Sequence, residues 1–350
     1  MGSSRRRKKS SWGTRALIAL VVTGLSAATV KCGVERGLKE LGLPGEDRPT
    51  RPSPAPGRSG SPAPPKSASA KGAPPRGAPA SGTAAPRPPK AGDPLELGTP
   101  VRTGPGAVQT AATASDDHLM TKPQYALSYN RSRNVANWVG WRLDAASFGD
   151  APRHRGKFLS DGALPDGWYR VQHDDYTGSG FDRGHMVRSE ERTRTPEDNK
   201  ATFLLTNILP QRHDLNAGPW LALEGACQEL AQKQDRALFL VAGGLFDGRG
   251  RVATLGDGAA GKGVAVPEAF FKIVVVLAPG QGAADVGPST RVIAVIMPNK
   301  TGILDRGWGQ YRTTVDDIER RAGYDFLTAV PEAVQRVIEA RADTEPVVER

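Results

Sequence analysis

Cysteine is scarce in this chain: Cys32 and Cys227 are the two in 350 residues. That excludes a disulfide framework and a four-cysteine zinc site. The five histidines, His118, His154, His173, His185 and His213, show no HExxH spacing, and no CxxC pair stands near them. A structural zinc module is excluded as well. Uncharged apolar runs of about 18 residues are absent, which rules out a polytopic membrane protein. Acidic residues are sparse at one end only. Residues 1–95 carry 17 Lys and Arg against 5 Asp and Glu, whereas residues 96–350 carry 30 against 32. The net charge of +10 therefore belongs to the front of the chain. If the remainder binds polyanions, it does so at a site and not over a basic surface.

The front reads as an address followed by a tether. Arg5 to Lys9 form a basic cluster, fifteen uncharged residues lie between Arg15 and Lys31, and Ser26-Ala27-Ala28 offers small residues for cleavage. This is the layout of a secretory signal, so residues 1–32 are expected to be a signal peptide or an N-terminal membrane anchor. Lys31 stands where a lipidated cysteine needs a small predecessor, which argues against a lipoprotein at Cys32. Seventeen of the 29 prolines fall between Pro44 and Pro105. Residues 33–95 are thus expected to be a disordered, basic Pro/Ala/Gly-rich linker, with too little to bury to offset the entropy of ordering. A solvated spacer is the simple reading, and a hold on an acidic membrane or envelope surface is the alternative. The rest of the chain is expected outside the cytoplasm: secreted, periplasmic or anchored.

Residues 96–350 are long enough for one domain with a full core. Runs 236–246, 270–279 and 291–299 are predicted as buried strands, and TFLLTNILPQ (202–211) as a further apolar strand ending in Asn207 before Pro210-Gln211. Segments 216–233, 313–322 and 331–342 have helical apolar spacing, as at Val334, Val337, Ile338 and Ala342. Strands and helices without strict alternation predict an α+β fold.

The chemistry gathers in two stretches. In DDYTGSGFDRGHM (174–186), Gly178-Ser179-Gly180 predicts a turn that delivers Asp182, Arg183 and His185. An arginine beside the histidine discourages its protonation and keeps a neutral base near pH 7. By itself such a histidine reads as an ordinary surface residue. Twenty-two residues after His185 comes Asn207, within TNILPQ (206–211), and then HDLNAGPWLALE (213–224), which opens a helix near Pro219. Asn216 alone reads as a cap, Glu224 alone as a solvated helix face, and Trp220 as core. Together they describe a base beside a helix whose entrance carries a hard oxygen ligand. One amide carbonyl suits Mg2+, which keeps most of its waters, and Glu224 can hold one of those waters. An arginine is also wanted to stabilise charge on phosphorus, and Arg153 and Arg155 are the candidates upstream.

These residues resemble the DNA/RNA non-specific endonucleases of the ββα-metal (His-Me finger) fold, the Serratia nuclease and endonuclease G type. The pattern DYxGSGxDRGH matches at 175–185, TNxxPQ at 206–211 and LNxxxWxxLE at 215–224. Weaker matches, IMPN (296–299) among them, extend the resemblance over roughly 97–330. It implies a mostly antiparallel sheet flanked by helices and a Mg2+-dependent hydrolase of DNA and RNA phosphodiesters, with Mn2+ as a possible substitute. His185 would be the general base and Asn216 the direct metal ligand. Glu224 would bind metal waters, Asn207 would position the site, and Arg183 would support its geometry or the phosphate. Arg153, with Arg155 as rival, would be the phosphate-stabilising arginine. One departure stands out: the family usually has arginine four residues after the glutamate, and this chain has Gln228. Arg212 is a neighbour that could replace it.

Two other readings compete. A nuclease-like module tethered at the cell surface could capture nucleic acid without cutting it, but such a binder has no need of a base beside a metal ligand. A structural protein built around its Pro-rich arm would leave the DRGH constellation unexplained. GDGAAGKG (256–263) mimics a nucleotide loop, yet Gly263 replaces the required Ser or Thr and Pro267 follows, so a glycine-rich hairpin is expected. Cys227 is expected to be a buried small hydrophobe.

Overall fold

VANWVGWRL, ALFLVAGGL and AFFKIVVVL are apolar almost without interruption, which suits strands covered on both faces and not edge strands. They form the middle of a six-stranded sheet. The computed structural model describes residues 92–104, 114–246, 253–256 and 262–346. The expectations for residues 1–32, and for all but the end of 33–95, lie outside the described residues.

Val101–Arg102 (β1) pairs antiparallel with Tyr324–Asp325 (β12), joining the two ends of the described domain. The main sheet contains β2 (His118–Thr121), β3 (Ala126–Asn130), β4 (Val135–Leu143), β7 (Ala237–Leu245), β10 (Ala269–Leu277) and β11 (Arg291–Pro298). Its order is β11-β10-β7-β4-β3-β2, and every neighbouring pair is antiparallel. The strands expected at 236–246, 270–279 and 291–299 are therefore present. Thr254–Leu255 (β8) pairs with Val264–Ala265 (β9), as a hairpin around the glycine-rich segment requires, although residues 257–261 between them lie outside the described residues.

Period-two alternation divides the core in two. Along β10, Phe270 and Val274 enter one cluster with Trp141, Met186, Leu209, Trp220 and Leu223. Phe271, Ile273 and Val275 enter another with Trp138, Val315, Ile318, Phe326 and Ile338. The same alternation aims Lys272 into the first cluster, where it is fully buried.

Asp182–His185 (β5) and Ile208–Gln211 (β6) form a separate antiparallel pair on that first face. Pro196–Ala201 (α1) is capped by Thr195, whose side chain accepts from the Asp198 N–H. Leu221–Gln232 (α2) follows β6 and completes a strand–strand–helix unit. On the second face lie Val315–Ala322 (α3), ended by Gly323 at φ 72, and Glu332–Ile338 (α4). Among the described residues no helix is long and apolar enough to cross a membrane.

Two expectations need correction. The strand predicted to end at Asn207 instead begins after it, at Ile208, because Leu205–Asn207 turns as a 3-10 helix that sends the Asn207 side chain inward. The helix predicted from 216 begins at Leu221. Before it, His213–Leu215 makes one turn and Asn216–Trp220 a wider one, broken at Gly218 (φ −100, ψ −116) ahead of Pro219. Leu304 passes so close that a Cβ on Gly218 would lie 2.5 Å from its carbonyl oxygen.

Candidate active site

β5 carries the DRGH residues, and its register pairs His185 with Ile208 and Asp182 with Gln211. Gly178 and Gly180 both have positive φ, which makes the expected turn into the strand. Gly184 has no side chain because the Gln211 side chain occupies that space. Beyond the strand, Asn207 fixes the backbone: its Oδ1 accepts from Val187 N–H at 3.0 Å, and its Nδ2 donates to Val187 O at 3.0 Å and Thr202 O at 2.9 Å. All of this is buried, so His185 stands on a rigid support.

The imidazole is half-buried between Phe158 and Phe203, with ring centroids 5.4 and 5.1 Å away. Its Nε2 faces the interior without a partner, which leaves Nδ1 as the nitrogen open to an incoming group. Burial depresses the His185 pKa to about 3, with Arg153 and then Arg188 adding positive charge against the opposing Glu190. The sequence reading credited Arg183 with this effect. Arg183 instead donates to His173 O at 2.7 Å and Thr177 Oγ1 at 3.1 Å, bracing the loop before β5.

Arg153 reaches the histidine side. Its guanidinium lies 5.0 Å over Phe203, pairs with Glu190 at 2.6 Å and contacts Ser189, while half of its side chain remains exposed. Arg155 is exposed and has none of these contacts. At the other end of β5, Asn216 Nδ2 donates to Asp182 Oδ2 at 3.0 Å, and His213 Nδ1 meets the same oxygen at 2.9 Å. Holding the amide nitrogen turns the Asn216 carbonyl oxygen away, where it accepts no hydrogen bond from the described residues.

Glu224 is buried and not on a solvated face. Arg188 Nε lies 3.6 Å and Lys272 Nζ 3.7 Å from its two oxygens. Burial pushes its pKa up to about 7, Lys272 pulls it down and Glu191 pushes it up again. Lys272 is in turn 4.0 Å over the Trp220 ring, and Glu191 accepts from Trp141 Nε1 at 2.9 Å. A buried charge web thus underlies the helix.

Sequence reasoning missed Arg188 and Lys272. The signal for Lys272 was a lone cation in an otherwise apolar strand. Arg188 gave no signal of its own; only its place three residues after His185 sets it near the site. Arg188 Nη1 donates to Gln228 Oε1 at 3.4 Å, so a cation is present beside the glutamine after all. Arg212 is not that cation: its guanidinium lies 4.0 Å over Phe181 and bonds Gly180 O. Cys227 is buried and its thiol is pushed up to about 12 by burial, as suits a packing residue.

Known proteins are similar to this chain in sequence and in fold. Residues 103–333 match the family described as DNA/RNA non-specific endonuclease. A nuclease of Nostoc sp. is 45% identical over 250 residues, covering 71% of this chain and 85% of the relative. Mitochondrial endonuclease G of Bos taurus is 28% identical over 246 residues, covering 68% and 78%. The chain spans a smaller share, 60%, of the mitochondrial nuclease EXOG of Danio rerio, at 30% identity over 217 residues. Among solved structures, an EndoG/EndoGI complex aligns with a TM-score of 0.52 and 25% identity, covering 64% of this chain and 94% of that one. The chain is therefore a member of the DNA/RNA non-specific endonuclease family, with the ββα-metal fold and the phosphodiester hydrolysis that go with it.

Proposed function

We propose that the chain is an exported, Mg2+-dependent, sugar-non-specific endonuclease that cuts DNA and RNA by water attack and leaves a 5′-phosphate. One observation carries the reading: β5 holds a neutral imidazole at one end and, through Asp182, an outward-turned amide carbonyl at the other. The residues fit a hard divalent ion, because the Asn216 carbonyl oxygen is free and Glu224 offers a carboxylate to its water shell. Bound there, Mg2+ would stabilise charge on the phosphate and on the leaving oxygen, and Mn2+ takes the same kinds of ligand.

His185 Nδ1 accepts the proton of the attacking water while the P–O3′ bond breaks, a step that contributes about 10²–10⁴-fold. Its low pKa belongs to the free protein. A phosphodiester anion seated beside the ring favours the imidazolium and raises its basicity when substrate is in place. Asn207 positions this histidine through Val187, and Arg183 braces the loop before it. Arg153 keeps an exposed guanidinium for the phosphate, and Arg188 supplies charge where Gln228 cannot. Contacts of this kind read phosphate and sugar, so sequence preference is expected to be weak. Support for export rests on the basic cluster and apolar run before Lys31, which lie outside the described residues.

The test uses the whole chain with plasmid DNA and with RNA, in Mg2+ or in EDTA, beside His185→Ala. Cleavage of both substrates that disappears with EDTA and with the substitution is the expected result. Nucleic acid that is bound but uncut under every metal tried would replace the enzyme by a capture module.

A further inference from the structure

The face of the sheet opposite His185 carries an acidic cluster that the endonuclease reading does not use. Asp316 and Glu319 on α3 and Glu339 at the end of α4 each bring one carboxylate oxygen to within 4.8 Å of the others. One backbone and one side-chain hydrogen bond hold the cluster in place. The Asp316 N–H donates to Glu339 O at 3.2 Å, and Glu319 Oε1 accepts from the Phe326 N–H at 2.7 Å.

A second observation separates this cluster from ordinary surface acids. Glu339 is only 6% exposed, and its Oε1 has no hydrogen-bond partner. Among the described residues, no lysine or arginine pairs with Asp316, Glu319 or Glu339. The nearby arginines are engaged elsewhere, Arg320 with Asp317 and Arg336 with Glu332. Asp325 on β12 adds a further negative charge, and burial together with these neighbours pushes Glu319 up to about 7 and Glu339 to about 8. A buried carboxylate oxygen without a partner must be relieved by a proton or by a cation. The donors are all oxygen, which selects a hard cation over zinc or copper. Carboxylates drawn from α3 and from the end of α4, with Asp316 open to water, suit Ca2+, which takes about 6–8 oxygens in flexible geometry, better than Mg2+, which demands a near-ideal octahedron.

We propose that Asp316, Glu319 and Glu339 form a Ca2+ site that ties α3 to α4, separate from the nuclease centre and structural in effect. The cation stabilises the C-terminal part of the fold and takes no part in hydrolysis.

The test is calorimetric titration of CaCl2 into the EDTA-stripped full-length chain carrying Asn216→Ala, which removes the proposed nuclease ligand. One Ca2+ per chain is expected to bind, and melting is expected to rise by about 5–10 °C at hundredfold saturation. Asp316→Asn and Glu339→Gln, each in the same background, are expected to lose both effects. Asp316 is exposed, so its substitution preserves the fold if Glu339→Gln does not. Absence of Ca2+ binding in the Asn216→Ala chain would overturn the proposal. So would binding that survives Asp316→Asn. A melting temperature that falls with pH through 7–8 identically with and without Ca2+ would assign the cluster to shared protons instead.

Discussion

Asp182 Oδ2 holds both the Asn216 amide at 3.0 Å and the His213 ring at 2.9 Å, so the strand that carries the histidine also orients the side chain at the helix entrance. One carboxylate couples the two halves of the site. Removing an outer partner of a metal ligand typically costs about 10–100-fold in affinity. Asp182→Ala is therefore expected to raise the Mg2+ concentration needed for half-maximal cleavage by that factor. Most of the maximal rate should return at high Mg2+, a separation that metal titrations of the cleavage rate would read.

Arg188 and Gln228 make a second testable pair. Losing a charge-stabilising donor costs about 10²–10³-fold in kcat. Arg188→Ala should fall in that range with little change in melting temperature. Gln228→Arg introduced into the same variant should restore at least part of the loss, because the new guanidinium starts from the residue that Arg188 now touches. Failure of that rescue, with melting lowered, would reduce Arg188 to a structural tie on Glu224.

The acid side of the pH profile should belong to Glu224. Its pKa is raised from 4.5 to about 7, so it gains a proton as pH falls through that value and would no longer hold the waters of the proposed Mg2+ as a carboxylate. Cleavage is expected to decline below about pH 7, and more Mg2+ should shift the decline to lower pH by competing with the proton. In the free protein His185, depressed to about 3, is already neutral across this window and contributes no limb to kcat/KM there. Glu224→Gln should lower the rate and flatten the profile. The same raised pKa means the folded state binds more protons than the unfolded chain between 4.5 and about 7, so this group's stabilising contribution is lost as pH rises through that window.

Lys272 is the sharpest stability test. Breaking a buried ion pair by deleting one partner costs about 3–5 kcal/mol. Lys272→Met should approach that loss at pH 8, where Glu224 is ionised, and lose less at pH 6, where the carboxyl is protonated. Denaturant unfolding at the two pH values measures the difference. The double variant with Glu224→Gln should be less destabilised than the two single losses added together.

How legible was this site? The strands at 237–245, 269–277 and 291–298 were readable because their burial on both faces writes itself as continuous apolar sequence. The DRGH strand and the Asn216 helix entrance were readable because short motifs carry them. Asn207 was read as the end of a strand, whereas its role as a clamp on Val187 depends on a 3-10 turn with no clear mark in TNILPQ. Glu224 gave the pattern of a solvated face, since its burial comes from Lys272 on β10 and Arg188 after β5, neither of which is close in sequence. Arg188 was invisible for the same reason: the chain does not announce which cation will meet Gln228.

The clasp at the helix entrance has a consequence for the order of assembly. Asn299 takes the Arg212 N–H at 2.7 Å and gives its amide to Pro210 O, the Gly302 N–H reaches Asp214 at 2.6 Å, and Leu304 closes over Gly218. Everything that frames Asn216 on that side is thus supplied by chain lying more than eighty residues later. Contacts this remote form late, because their loop must close before they give any return. A ribosome-bound chain that has not yet delivered Asn299 lacks the residues that fix the entrance to its helix, and the cutting activity is expected only once the last strand of the main sheet docks.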